Sequence, residues 1–283
     1  MENLPSIKVY ENRSFGDNFN LTFSFLGLHA RPFFKAHLHI SVPVILLTGM
    51  VNYFFASQTF GGIDTQVTGG FIGSPAYLGS AGLTAILGGL MAAVVTLVTL
   101  VYLRQQQEGK VPSPAEIHGE MWRYLVPIIL LAILVSLAIG VGFMLLIIPG
   151  IYLLGKLALA FPALVFEKQS FLDAMQRSFE VTQGHWWGSF GSLVLASLVG
   201  GVISVIFALP GAVVFGLSAY LSFEEGTASM ESFTGWSLAT FTLLTLIGRA
   251  ASTIFIIVVM ALYYGAKVEG QEARSLMEDI ERE

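Results

Sequence analysis

From Tyr124 to Gly155 the chain reads YLVPIILLAILVSLAIGVGFMLLIIPGIYLLG, bounded by Arg123 and Lys156 and without one charged residue inside. A bilayer core is crossed by about 20 apolar residues in a helix. One kinked helix over 123–166 would therefore be far longer than any bilayer needs. The reading adopted here breaks the run at Pro149-Gly150. Proline cannot continue the backbone ladder and glycine tolerates a reversal, so IIPGIY reads as the tight tip of a hairpin.

The same apolar length recurs along the chain, which predicts membrane helices near 36–57, 79–103, 123–148, 151–166, 188–209 and 235–264. Charged residues make up only 12% of the sequence and hydrophobic ones 54%. A soluble domain carries about twice that share of charge, and the mean hydropathy is +0.73. The expected class is an all-α integral membrane protein. With no cysteine, disulfides, thiolate metal sites and a cysteine nucleophile are excluded. The polar, aromatic first 35 residues have no basic leader followed by a short apolar core, so no cleavable signal peptide is expected.

Basic residues set the expected direction. Lys8, Arg13, Arg31 and Lys35 precede the first span, and Arg104, Lys110 and Arg123 separate the second from the third. Lys168 and Arg177 follow the fourth, and Lys267, Arg274 and Arg282 follow the sixth. The connections 58–78, 149–150 and 210–234 hold no Lys or Arg. Because basic loops stay cytoplasmic, the expectation is six spans in a bacterial cytoplasmic (inner) membrane with both termini inside. Only Lys156 and Arg249 fall within spans.

Between these runs sits SFLDAMQRSFEVTQGHWW, Ser170 to Trp187, which echoes the segment beginning SFGDNFNLTF at Ser14. Aligned without a gap, Ser14/Ser170, Phe15/Phe171, Asp17/Asp173, Phe23/Phe179 and His29/His185 are identical. Ser-x-x-Asp is a helix-start arrangement, in which the hydroxyl and carboxylate meet free backbone N–H groups. A weaker copy begins at Ser113, with Pro114 at the favoured first helical position and Trp122 in the place of Phe23 and Phe179. In the third copy Phe171, Met175, Phe179, Thr182 and Trp186 form a stripe at helical spacing. Asp173, Gln176, Arg177, Glu180 and Gln183 lie opposite. Such a helix lies in the membrane interface or packs under a bundle. The organisation expected is one membrane domain over 1–283, made of three hairpins each preceded by a cytoplasmic-side amphipathic helix. The modules are 14–103, 113–166 and 170–264, with 265–283 as a cytoplasmic tail. GVGFMLLIIPGIYLLG is echoed by GVISVIFALPGAVVFG (Gly201–Gly216), and 211–222 reads as a short half-helix at the outer face.

The run IYLLGKLALAFPALVFEKQSFLDAMQRSFEVTQGHWWGSF, reached from Pro149 and ending at Phe190, resembles the membrane domain associated with bacterial glycerophosphodiester phosphodiesterases, and is similar to related uncharacterised multi-pass proteins. The resemblance rests on the Pro-Gly hairpin, on a basic residue at Lys156, on Pro162 and Glu167, and on the helix AMQRSFEVTQGHWW. It implies a membrane fold without activity, since catalysis in those enzymes belongs to a separate soluble barrel that nothing here is long or polar enough to form.

Small residues recur every fourth position at Ala81, Ala85, Gly89 and Ala93, at Ala132, Ser136 and Gly140, and at Gly188, Ser192, Ala196, Gly200 and Ser204. That spacing lets backbones approach closely in lipid, within the chain or between copies. Lys156 and Arg249 need partners inside the membrane. One reading is a cationic site holding an anion or a lipid phosphate. The other is structural, with Lys156 snorkelling outward and Arg249 bonding carbonyls freed near Pro210 or a glutamate from the outer loop. His37 and His39 lie on different faces of one helix, at headgroup level with Arg31 and Lys35, and do not suit zinc. The loop around Asp64 lacks a phosphate-loop ending, and the loop holding Glu224, Glu225 and Glu231 lacks the ligands calcium needs. Trp122, Trp186, Trp187 and Trp236 fall at expected membrane edges.

The function expected is a non-enzymatic lipid- or partner-binding membrane component without catalytic residues, metal or cofactor. Its partners would be membrane lipids, with a membrane protein or a second copy as further candidates and nucleic acid excluded. The alternative is a small transporter or exporter with a cationic site near Lys156 and Arg249.

Overall fold

The computed structural model describes residues 8–11, 13–61, 75–109, 112–224 and 235–282. The loop around Asp64, Lys110, and Glu225 with Glu231 lie outside the described residues. Every regular element described is helical: α1 (Phe15–Leu28), α2 (Ala30–Gly61), α3 (Pro75–Gln107), α4 (Pro114–Leu145), α5 (Ile147–Leu157), α6 (Ala160–Phe166), α7 (Phe171–Val181), α8 (Trp186–Glu224) and α9 (Trp236–Arg282). Among the described residues, six stretches are long and apolar enough to cross a membrane: Ala30–Ser57, Leu78–Gln107, Pro114–Leu145, Ile147–Phe166, Trp186–Leu221 and Trp236–Gln271. Each contains most of one expected span.

The serine-led segments start helices as their chemistry requires. Ser14 Oγ accepts the Asp17 amide at 3.3 Å and donates to its carboxylate at 2.6 Å. Ser170 and Asp173 repeat both distances. Ser113 and Glu116 form a reciprocal capping box, with the Ser113 amide 2.8 Å from the Glu116 carboxylate. His29 closes α1 and leads into α2, and His185 precedes α8, its carbonyl accepting the Ser189 amide at 3.1 Å. The paired histidines therefore both stand between the end of one helix and the start of the next.

Two expectations need correction. The break in the long apolar run falls at Leu146, not at Pro149-Gly150. Leu146 is extended (φ −163°, ψ 153°), and Pro149 and Gly150 lie in the first turn of α5, where a proline's missing N–H costs nothing because the first amides have no intrahelical partner. Residues 211–222 are no separate half-helix, because α8 runs continuously through Pro210. A proline inside a helix removes one hydrogen bond and can be absorbed as a kink. The expected tail is helical over 265–282, continuous with α9.

The chain divides into two compact units. The first takes its described residues from Met1–Ile40, Ala93–Leu198 and Ile254–Glu283. Its core is the end of α3, where Leu97, Val98, Leu100, Val101, Tyr102 and Leu103 are all fully buried, together with α6 and the middle of α9. Helices apolar on every side are wrapped by others. The second unit takes Ser41–Ala92 and Val199–Thr253. There α8 and α9 touch through backbone, a Cβ on Gly248 meeting the Ser204 carbonyl at 2.7 Å and one on Gly211 meeting Phe241 Cα at 2.8 Å. Of the small-residue stripes, Ser192, Ala196 and Gly200 of α8 are buried, whereas Ala81, Ala85 and Gly89 of α3 are exposed.

Candidate functional site: the polar seam around α7

The chain leaves α6 through Glu167, and Lys168 takes the left-handed conformation (φ 55°) that turns it toward Ser170 and α7. This places Glu167 at a junction inside the first unit. Its Oε1 accepts from Arg177 Nε of α7 at 3.0 Å and from the Tyr264 hydroxyl of α9. Its Oε2 accepts from Gln169 at 2.6 Å. One carboxylate thus ties the end of α6 to α7 and α9, and a further tie runs from Gln271 Nε2 to the Val181 carbonyl at 3.3 Å. With both oxygens engaged, Glu167 is a strut between these helices.

Arg177 also reaches Glu180 at 3.5 Å. Burial opposes its charge, but the hydrogen bond and charge of Glu167 outweigh it and raise its pKa above the ordinary arginine value. The guanidinium forms a wall shared by two clefts. One of about 440 Å³ is lined by Tyr10, Gln107, Glu167, Arg177, Val268 and Glu269. The other, about 150 Å³, is lined by Gln169, Asp173, Gln176, Arg177 and Glu180. Four carboxylates and one guanidinium line the two clefts, so they suit a cationic or neutral polar group better than a free anion.

Lys156 lies on the other flank of α7. It is 8% exposed, its ammonium donating to the Phe179 carbonyl at 3.4 Å and lying 5.9 Å from the ring centres of Tyr152 and Phe179. Phe179 belongs to the last turn of α7, where unpaired carbonyls favour a cation. Ser178 Oγ returns a hydrogen bond to the Lys156 carbonyl at 2.6 Å. The ammonium therefore turns toward α7.

The expected stripe on the interfacial segment is split. α7 ends at Val181, and a turn through Gly184 (φ 72°) intervenes, so Trp186 belongs to α8. There its indole packs on Gly155, donates to the Tyr152 carbonyl at 2.9 Å and stacks on Phe190 at 5.0 Å. Within α7 three faces appear. Ala174, Ser178 and Val181 are buried, and Asp173, Gln176 and Glu180 are exposed. Between them Leu172 is 60% and Phe179 36% exposed, while Phe171 and Met175 are half-buried.

Arg249 stands on α9 in the second unit, exposed, and forms no ion pair among the described residues. Lys156 and Arg249 thus belong to different units. His37 is buried with Nε2 3.4 Å from Thr99 Oγ1, whereas His39 is exposed. Sequence reasoning missed the second polar knot of the first unit. Arg104, taken as a loop charge, is buried inside α3, paired with Glu120 and bonded to the Tyr124 hydroxyl at 2.7 Å. Gln106 meets His29 at 3.0 Å.

The region carrying Lys156, Glu167, Arg177 and Tyr264 is also the region that comparison recognises. Residues 123–282, more than half of the chain, match the family model described as the membrane domain of glycerophosphoryl diester phosphodiesterase. The chain belongs to this membrane-domain family. No curated protein and no solved structure matches it. The membrane-domain match starts one residue before Tyr124 and runs to Arg282, the last residue of α9, so it holds the whole α7 seam. With six apolar spans and this membership, the chain is a multi-pass membrane protein.

Proposed function

We propose that this chain is a non-enzymatic component of the bacterial cytoplasmic membrane that binds lipid or a membrane partner, with both termini in the cytoplasm. It is built as three hairpins, the first and third led from the cytoplasmic side by α1 and α7, the second by the Ser113-capped first turns of α4 itself. The observation that carries the proposal is the three-way division of α7. A helix with one face in protein, one polar face and an apolar edge of Leu172 and Phe179 between them has the sidedness of an interfacial element. Its edge would meet acyl chains while Asp173, Gln176 and Glu180 stay wet. Arg249 adds a second lipid contact, because an exposed guanidinium in an apolar helix is best compensated by a phosphate. Lys156 is already engaged by α7 and serves the fold.

Native mass spectrometry of the purified chain from mixed phospholipids tests this. Bound phospholipid is expected on the wild type, reduced in Arg249→Gln and in Leu172→Glu/Phe179→Glu, with no lipid turnover in any of them. A co-purifying protein lost in the second variant would favour the partner arm. Unchanged adducts in both variants, or lipid hydrolysis by the wild type, would overturn the reading.

A further inference from the structure

The turn joining α4 to α5 is made of the wrong residues for water. Met144 is 89% exposed and Leu146 67%, and their neighbours Leu145, Ile147 and Ile148 are as open. Turns that face water are built from Gly, Pro, Asn, Asp and Ser, and lone exposed apolar residues are ordinary where five in a row are not. The nearest charges are Arg123 before the turn and Lys156 after it. We infer that this turn ends inside the hydrocarbon of the far leaflet, so that α4 and α5 enter the bilayer and return without exposing their connection to the opposite aqueous phase.

Length supports the inference. α5 has 11 residues, about 16 Å at 1.5 Å per residue, against a hydrocarbon core of about 30 Å. Its last turn holds Lys156, which is tied to α7, and the polar face of α7 needs water. Ten residues separate Lys156 from Leu146, about 15 Å of helix, and 23 separate Arg123 from Leu146 along α4, about 35 Å, so the turn reaches the far leaflet and clears its hydrocarbon only if α4 stands nearly upright.

Backbone chemistry supports it independently. Lipid offers no partner to a free N–H or C=O, so any turn there must spend as few as possible. This one has a single non-helical residue, and the Leu146 amide donates to the Gly142 carbonyl at 3.1 Å. Pro149 has no amide to leave unpaired. Gly150 is sheltered, since a Cβ there would fall 2.5 Å from the Phe143 ring, and one on Gly142 would meet the Gly150 backbone at 3.0 Å. The two helices close on each other at the point where lipid would otherwise meet backbone.

The absence of cysteine makes the test direct. Leu146→Cys and Met144→Cys in proteoliposomes are treated with a membrane-impermeant maleimide on either side, with Gln176→Cys on the wet face of α7 as the reference. Neither turn variant should label until detergent is added, whereas Gln176→Cys should label from one side. Labelling of either turn variant at a rate comparable with Gln176→Cys would overturn the inference. Because a second copy covering the turn would also block maleimide, a benzophenone amino acid at Met144 is photolysed in the same vesicles. Adducts to phospholipid are expected, and a crosslinked dimer without lipid adducts would overturn it.

Discussion

Arg177 Nε lies 3.0 Å from Glu167 Oε1 across the turn that joins α6 to α7, and the same oxygen takes the Tyr264 hydroxyl from α9. Three helices of the first unit therefore depend on one carboxylate. Removing any donor leaves a partly buried charge short of a partner, which costs more than the net worth of the bond.

Glu167→Gln and Arg177→Ala should each destabilise the chain by roughly 1–3 kcal/mol, as for hydrogen bonds to charged groups. The double variant should cost less than the sum, since both act through one contact. Thermal unfolding in detergent of the four proteins of the cycle measures the coupling. Strict additivity would show that the pair is not a unit.

The pH dependence of that pair has a definite sign. The folded chain holds the Arg177 proton more tightly than the unfolded chain does. Its contribution is therefore complete below the ordinary arginine value and is lost only as pH rises through the still higher folded value. Arg177→Lys substitutes a group whose ordinary value is about 10.4. The difference in melting temperature between wild type and Arg177→Lys should stay level up to about pH 10 and widen from about pH 10 to about pH 12, where the lysine loses its proton first. A constant difference would contradict the assignment.

Gly155 is where the α5 backbone admits the Trp186 indole, because a Cβ there would stand 2.4 Å from Nε1. Gly155→Ala should cost about 1–3 kcal/mol through overpacking and shift tryptophan emission as the bond to Tyr152 is broken. Gly89→Ala, where nothing lies within 4 Å, is the matched control and should leave stability nearly unchanged.

Lys156→Glu should prevent stable folding, because it turns a carboxylate toward the Phe179 carbonyl at the negative end of α7. Lys156→Met keeps the stem and loses only the charge, a change of about 0.3–2 kcal/mol on the scale of helix-end interactions. Size-exclusion profiles in mild detergent separate the two outcomes. Equal tolerance of Glu and Met would show that the ammonium does not seat on α7.

What was legible in the sequence was local. Span number follows from apolar length. The Ser14, Ser113 and Ser170 caps follow from chemistry within four residues, and the equivalent placing of His29 and His185 between helices follows the repeat. The misreadings share one cause. Pro149 and Pro210 were taken as chain breaks, yet a proline's meaning depends on where the helix starts around it. Pro149 falls in a first turn and Pro210 in mid-helix, and the packing of Gly142 on Gly150 and of Gly211 on Phe241 decides which. Arg104 looked like a loop charge because its partners Glu120 and Tyr124 come from the next helix. Glu167 and Arg177 were both visible, but the Tyr264 hydroxyl that joins them comes from α9, and no spacing rule connects such positions.

The placement of α7 carries the functional account, and its depth can be measured. Nitroxide labels at Leu172→Cys and Gln176→Cys in liposomes report accessibility to oxygen, which concentrates in lipid, and to a water-soluble nickel chelate. Residue 172 should be the more accessible to oxygen and residue 176 to nickel. Equal nickel accessibility at both would place the whole helix in water and contradict an interfacial, lipid-contacting α7.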